Sequence, residues 1–198
     1  FYQGLPNFIQ KMGSLYPEIN LELILEATHQ PISKLLSNDI DIAIVSSKPE
    51  NSLLSSVEIF EDEIYAIMHK ENSLGDLEFL DVSDFAEVHL IIHSFPLETV
   101  SVYEYFLKPN KIIPFKISAI PLTEIALEMI VANFGIMCMT KWALKSFKLP
   151  EELIYKKIGK NGLKRNHFLV TRSADKSKKY IQDFISNFTD KFSIAYSF

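Results

Sequence analysis

The chain has 198 residues and a net charge of −5, and its 20 lysines and arginines are scattered, which argues against nucleic-acid binding by this chain alone. The composition, 47% hydrophobic, is typical of a packed globular protein, and no apolar run reaches the roughly 18 residues of a membrane span. Cys138 is the only cysteine, which excludes an internal disulfide and fits a reducing compartment, so we expect a cytoplasmic protein.

The first quarter of the sequence predicts a helix, a strand, a second helix and a second strand. Apolar residues from Leu5 to Tyr16 recur at helical spacing, with Pro17 after the helix ends. "INLELILEA" predicts a strand at 19–25, and a short helix follows at about 30–37. "IDIAIV", at 40–45, is continuously apolar, as in a strand buried on both faces of a parallel sheet. This order indicates a compact βαβ unit.

Strands and helices continue to alternate along the rest of the chain, which favours an α/β fold with mostly parallel sheets. Ser83 is predicted to cap a short helix, and Gly135 to cap the helix that opens at Thr123. Two separate sets of buried strands, around 21–45 and 88–139, suggest two small lobes. The predicted strands are 55–68, 88–93, 115–120, 136–140, 152–159 and 165–172, and the predicted helices are 81–87, 97–108, 123–134, 141–147 and 176–192.

Small polar residues follow several predicted strands, close to the start of a helix. Ligands in open α/β sheets bind beyond the carboxyl ends of strands, where free N–H groups of helices attract carboxylates. The sequence therefore predicts a binding cleft for an amino-acid-like or small carboxylate ligand. The candidate residues are Glu26, Thr28, His29, Ser46, Ser47, His93, Ser94, Phe95, Leu122, Thr123 and Met139.

Each candidate also has a structural interpretation. The two serines could equally be ordinary caps at a strand end, and His29 and His93 could each be structural. Met139 lies in an apolar stretch that is typical of a core residue. His89 and His93 have a spacing that suits a metal on a helix, but in a strand they lie about 13 Å apart, so we expect no metal site. No G-x-S-x-G, P-loop or G-x-G-x-x-G motif is present, so we expect neither an enzyme nor a bound cofactor.

Several stretches, taken in order, resemble one protein family. They are "LPNFIQKMGSLYPEINLEL", "LLSNDIDIAIVSS", "SSVEIFEDEIYAIMHKENSL" and "EMIVANFGIMCMTKWAL". Together they are similar to the effector-binding domain of LysR-type transcriptional regulators. "FLKPNKIIP" and the stretch through Trp142 resemble the subgroup that regulates methionine biosynthesis, whose effector is homocysteine.

The resemblance implies an α/β fold of two Rossmann-like lobes joined by two crossover strands, similar to periplasmic binding proteins, with the effector between the lobes. We expect lobe I at 1–69 and 166–198, with its first strand missing, and lobe II at 70–165. The resemblance also implies a homodimer or higher homo-oligomer, and DNA binding only through an N-terminal helix-turn-helix module absent from this sequence. Two alternatives stay open on the residues alone: a solute-binding protein of a transport system, and an enzyme on the same fold.

Overall fold

A computed structural model of the chain describes residues 5–24, 30–146 and 149–196. The helices in these ranges are α1 (Leu5–Leu15), α2 (Pro31–Leu36), α3 (Thr123–Val131), α4 (Lys141–Ser146) and α5 (Lys179–Tyr196). The strands are β1 (Ile42–Val45), β2 (Leu54–His69), β3 (Phe79–Leu80), β4 (His89–Ile92), β5 (Lys116–Ala119), β6 (Ile136–Thr140), β7 (Leu153–Ile158) and β8 (Leu163–Arg172). None of the helices in the described ranges is long and apolar enough to cross a membrane.

The chain divides into two compact units. Unit 1 comprises Phe1–Asp62 and Arg165–Phe198, and unit 2 comprises Glu63–Lys164. Strands β2 and β8 each run through one of the two boundaries, so the chain passes between the units along two strands. The family resemblance implied two such crossover strands.

Unit 1 contains a small antiparallel sheet and an aromatic contact between its two long helices. Strand β1 pairs with β8 over four residues, from Ile42 opposite Thr171 to Val45 opposite Phe168. Phe8 of α1 is almost fully buried and meets the rings of Phe184 and Phe188 in α5 edge-on, at 5.0 and 5.2 Å. Burial of these rings fixes α1 against α5, as the helical spacing of apolar residues in both helices predicted.

The strand predicted at 19–25 is wrong over its described part, because residues 19–24 form no regular element. Leu23 and Ile24 are 51% and 42% exposed, so the apolar residues of this alternating segment are not buried against the rest of the protein. The predicted βαβ unit is wrong for the same reason. The described partner of β1 is β8, which lies antiparallel to it.

Unit 2 is a mixed sheet with a core on each face. Strands β5, β4 and β6 are parallel neighbours, β2 is antiparallel to β6 and to β7, and β3 is parallel to β7. The prediction of mostly parallel sheets holds only for β5–β4–β6 and for the short β3–β7 pair. The antiparallel pairs arise because long β2 lies between β6 and β7, two strands that come much later in the chain, so their direction relative to β2 has no local sequence signal.

Two predicted helix caps are wrong, and each has a physical explanation. Asp81, not Ser83, caps the short 3-10 helix Val82–Glu87, in a reciprocal pair with Asp84. Asn133, with φ 56°, takes the left-handed position after α3 that was predicted for Gly135. Gly135 instead allows close approach of two strands, because a Cβ there would lie 2.2 Å from the carbonyl oxygen of His89.

Candidate functional site

The two predicted serines follow β1 directly and lie in unit 1. Ser46 is partly buried and Ser47 is exposed. Both serines therefore lie at the carboxyl end of β1, where the sequence predicted hydrogen-bonding groups.

A partly buried arginine fixes the turn that leads into β1. Arg172, at the end of β8, donates from Nη1 to the carbonyl oxygens of Leu35 and Ile40, at 3.0 and 2.6 Å. Its Nε donates to Asp175 Oδ2 at 2.6 Å, and its Nη2 to Asp41. The guanidinium thus joins the end of α2, the start of β1 and the segment after β8, and it holds the backbone that leads to the serines.

The "SNDID" segment of the sequence is the turn between α2 and β1. Asn38 adopts a left-handed conformation, with φ 65°, which its short polar side chain tolerates. Asp39 receives a hydrogen bond from Ser37 and pairs with Lys34 at 3.4 Å, and the pKa of its carboxyl is lowered by these contacts. The turn at 37–41 therefore has a structural role, and its last residue, Asp41, accepts a hydrogen bond from Arg172.

In unit 2 the carboxyl ends of β4, β5 and β6 lie along one edge. Ile92 pairs with Ala119, and the N–H of Ile120 donates to the carbonyl of Ile92 at 2.8 Å. His93, Ser94 and Phe95 follow β4, so they lie beside the segment that leads from β5 to α3. His93 and Phe95 are exposed, Ser94 is partly buried, and the Phe95–Pro96 bond is cis.

The N-terminus of α3 lies at this same edge. Its N-cap residue, Leu122, is 59% exposed and offers no side-chain hydrogen bond to the helix. The first intrahelical bond runs from the N–H of Ala126 to the carbonyl of Leu122, so the N–H groups of Thr123, Glu124 and Ile125 have no acceptor within the helix. These groups, with the hydroxyls of Ser94 and Thr123, are donors suited to a carboxylate.

Other candidates are placed differently. Met139 is buried in the core of unit 2 beside Ile67 and Leu127, in keeping with its structural interpretation. Its neighbour Cys138 is a poor nucleophile, since burial raises the pKa of its thiol to about 12. Glu26, Thr28 and His29 lie outside the described residues.

Sequence reasoning missed two polar side chains of β8, Arg172 beside the start of β1 and His167 beside its end. Arg172 gave no signal, because its partners at positions 35–41 lie more than 130 residues earlier in the chain. His167, in the middle of a predicted strand, carried none of the strand-end context used to choose candidates. It is 8% exposed and stacks on Phe60, with ring centroids 4.5 Å apart.

The described part of the chain contains no cluster of side chains arranged as a metal site. No group of three or more His, Cys, Asp or Glu side chains comes together there with the geometry of a metal site. His89 instead has both ring nitrogens within 2.8 Å of partners, the carbonyl of Phe134 and the hydroxyl of Ser118.

Comparison with known proteins finds relatives that all point to one family. The profile of the LysR substrate binding domain family matches residues 2–193. The transcriptional regulator MetR of Haemophilus influenzae is 25% identical over 166 residues, which cover 84% of this chain and 53% of that protein. MetR of Escherichia coli is 20% identical over 183 residues, which cover 92% of this chain and 57% of that protein. The chain thus spans about half the length of these relatives, which are regulators by name and not enzymes.

Solved structures give the same fold. The regulatory domain of MetR from N. meningitidis, a LysR family regulator, matches with a TM-score of 0.87 at 20% identity, covering 96% of this chain and 88% of that one. Full-length BenM matches with a TM-score of 0.79 at 15% identity, covering 97% of this chain and 64% of that one. The fold predicted from the family resemblance is therefore confirmed, and the chain belongs to the LysR substrate binding domain family.

Proposed function

We propose that the chain is the effector-sensing domain of a LysR-type transcriptional regulator and binds a small carboxylate or amino-acid-like effector without transforming it. The observation that carries this proposal is the carboxyl-end edge of β4 and β5. There the N–H groups at the start of α3, which have no acceptor within the helix, lie at the same edge of the sheet as the segment containing Ser94. A carboxylate would satisfy these donors better than water does, because the helix dipole also favours negative charge.

In unit 1, the end of β1 offers hydrogen-bonding groups of its own, which we propose as further candidate effector contacts. Ser46 and Ser47 offer hydroxyls that both donate and accept, so they suit an ammonium or a polar side chain of the effector. Arg172 supports this end by fixing the preceding turn. Its guanidinium is already used by protein partners, so we assign it to positioning and not to ligand contact.

The finer identity of the effector rests on the family resemblance stated above. The regulators reported above are named MetR, and homocysteine is a candidate that fits the strand-end chemistry: a carboxylate, an ammonium and a short chain with a polar end. We extend the proposal to lobes at 1–69 with 166–198 and at 70–165, and to a DNA-binding helix-turn-helix module in the rest of a cytoplasmic protein. The name "HTH-type" of the relatives, and their length, support that module.

We also propose a homodimer of this domain. The exposed side of α1 and the helical segment 99–107, where Tyr105 is 41% exposed, are the surfaces that the family resemblance suggested. Light scattering at high micromolar concentration is expected to give twice the mass of one chain, and a monomer there would remove this part of the proposal.

A thermal-shift screen tests the effector proposal. Small amino acids, thiols and dicarboxylates would be added at high concentration, and a ligand at 100 times its dissociation constant is expected to stabilise the fold by about 2.7 kcal/mol, or roughly 5–10 °C. For any hit, Ser46→Ala and Ser94→Ala are expected to weaken binding more than about tenfold. Ser14→Ala is the control, because the Ser14 hydroxyl bonds the carbonyl of Gln10 within α1. Equal affinity in all variants would contradict the assignment of these strand ends.

A further inference from the structure

The turn between β7 and β8 contains Asn161, the one asparagine of the sequence that precedes a glycine. The N–H of Gly162 donates to the carbonyl oxygen of Gly159 at 3.1 Å, and this backbone hydrogen bond closes the turn. Asn161 is exposed, and its side chain makes no hydrogen bond with any other residue in the described ranges. The amide of Asn161 is therefore in contact with solvent and is not held in one orientation.

Two other asparagines precede a small residue, but their side chains are already engaged. Asn51 and Asn72 are each followed by serine. The side-chain oxygen of Asn51 accepts from the N–H of Leu53 at 2.9 Å, and that of Asn72 accepts from the N–H of Leu74 at 3.0 Å. These bonds hold each amide against the backbone two residues along the chain. Asn161 differs from both, because its amide is not engaged and the next residue has no side chain to hinder an approach to its nitrogen.

Asparagine is one of the chemically labile residues of proteins, and an asparagine next to a glycine reacts in water. The backbone nitrogen of Gly162, after losing its proton to hydroxide, attacks the side-chain amide carbon of Asn161. A new C–N bond forms, the original amide nitrogen takes a proton from water and leaves as ammonia, and residue 161 becomes a cyclic imide. Water then adds to either carbonyl carbon and opens the ring. The products are aspartate and iso-aspartate, in which the backbone runs through the former side chain.

We propose that Asn161 is a site of spontaneous chemical modification, at which attack by the Gly162 nitrogen converts the asparagine to iso-aspartate and aspartate. The turn has to open for this attack, because the Gly162 N–H is bonded to Gly159. Opening it breaks a backbone hydrogen bond in an exposed turn, and local opening of such segments has a low free-energy cost. The modification needs water and no effector, so it goes beyond the proposed function.

The extra backbone methylene of iso-aspartate matters because Gly162 has no free space beside it. A Cβ on Gly162 would lie 2.3 Å from Oε1 of Glu63 in β2, whose Oε2 accepts from the Tyr65 hydroxyl at 2.8 Å. Since the longer backbone displaces Gly162 in this contact, iso-aspartate is expected to destabilise the turn from which β8 starts. Conversion to aspartate keeps the backbone length and changes only an exposed side chain, so it is expected to affect stability little.

Incubation of the parent protein in mildly alkaline buffer, followed by chymotryptic digestion, chromatography and mass spectrometry, tests the site. An unincubated sample corrects for modification during digestion. The peptide containing residue 161 is expected to gain the mass that separates an acid from an amide, and to divide into two products of equal mass, the aspartate and iso-aspartate forms. Peptides containing Asn51 and Asn72 are the internal reference. Modification of either reference residue before Asn161 would overturn the proposal.

Two variants separate the modification from its consequence. Asn161→Gln keeps an exposed amide but reacts much more slowly, because its longer side chain has to close a larger ring. Asn161→Asp carries the charge of the products without the extra backbone atom. The melting temperature of the incubated parent is expected to fall below that of a fresh sample, whereas Asn161→Gln incubated in the same way, and Asn161→Asp, are expected to match the fresh parent.

Two results would count against this account. Modification of Asn161 in urea-unfolded protein but not in folded protein would show that the native turn protects the amide, and it would overturn the proposed site. An unchanged melting temperature in parent protein that contains iso-aspartate would confirm the site and overturn the destabilisation of the turn.

Discussion

Replacement of Arg172 by methionine tests whether a single side chain holds the segment that leads to the candidate site. The guanidinium is 14% exposed and makes four hydrogen bonds, to two carbonyl oxygens and to the carboxylates of Asp41 and Asp175. Methionine retains an apolar stem of similar length but cannot donate. Both carbonyls then lose a charged donor, and the half-buried network around Asp175 loses one of its two cations.

The magnitude follows from the burial of each partner. Asp41 has a side chain that is 73% exposed, so its ion pair contributes about 0–1 kcal/mol. Asp175 has a side chain that is only 11% exposed, and removing one partner of a buried pair typically costs about 3–5 kcal/mol. Since Lys178 remains beside Asp175 at 2.7 Å, we expect the lower part of that range, about 3–4 kcal/mol with the carbonyl contacts included.

Urea unfolding followed by circular dichroism measures this loss. With a slope of about 2 kcal/mol per molar, the midpoint is expected to fall by roughly 1.5–2 M. Lys178→Met is the matched control, because Lys178 pairs with the same carboxylate but is 46% exposed, and its midpoint is expected to change little. If Arg172→Met shifts the midpoint no more than Lys178→Met, the guanidinium does not hold this segment and the argument is refuted.

Three further predictions follow from single residues. Gly135→Ala is expected to lose about 1–3 kcal/mol of unfolding free energy, because its Cβ would lie 2.2 Å from the carbonyl oxygen of His89. Gly13→Ala in α1, with open space around it, is expected to gain about 0.5–1 kcal/mol. Urea titrations in which both variants change the unfolding free energy in the same direction would contradict these two predictions. The pKa of Asp175 is lowered by Lys178 and by Arg172, so its contribution to stability is present above the unfolded pKa of about 4 and is lost as the pH falls through the folded pKa. Unfolding free energies of the parent and Asp175→Asn should therefore converge only in acid, and a constant difference down to pH 2 would count against this. Because the thiol pKa of Cys138 is raised to about 12, the folded protein is expected to react slowly with Ellman's reagent at pH 8 and to release one thiol per chain on denaturation; rapid reaction of the folded protein would show that the thiol is not buried.

The sequence predicted those elements whose signal is local. Strand β4 was recognisable because three apolar residues in a row are bounded by polar ones, and the start of α3 followed from Pro121 and Thr123. Gly159 and Gly162 lie between β7 and β8 and adopt φ values of 69° and 79°, a conformation that glycine tolerates, so this turn also has a local signal. Such features depend on neighbours within a few residues, so no knowledge of the fold was needed to identify them.

Features that depend on distant partners could not be predicted. The segment 19–24 alternates as a strand would, but the alternation carries no information about whether a neighbouring strand lies beside it. Gly135 followed a helix and was interpreted as its cap, although the constraint on it comes from the backbone of His89 in another strand. His167 was overlooked because its burial and its stack on Phe60 depend on the pairing of β8 with β2.

Hydrogen–deuterium exchange with and without a bound probe tests the central claim most directly, that an effector binds at the carboxyl ends of the strands. L-homocysteine and L-homoserine are the first probes, and peptides covering 45–47, 93–95 and 122–125 report on the proposed contacts. The segments 113–115 and 132–135, which precede β5 and β6 at the opposite ends of these strands, are the internal reference. The account predicts slower exchange in the first set and no change in the second. Protection confined to the reference segments, with none at the strand ends, would contradict it.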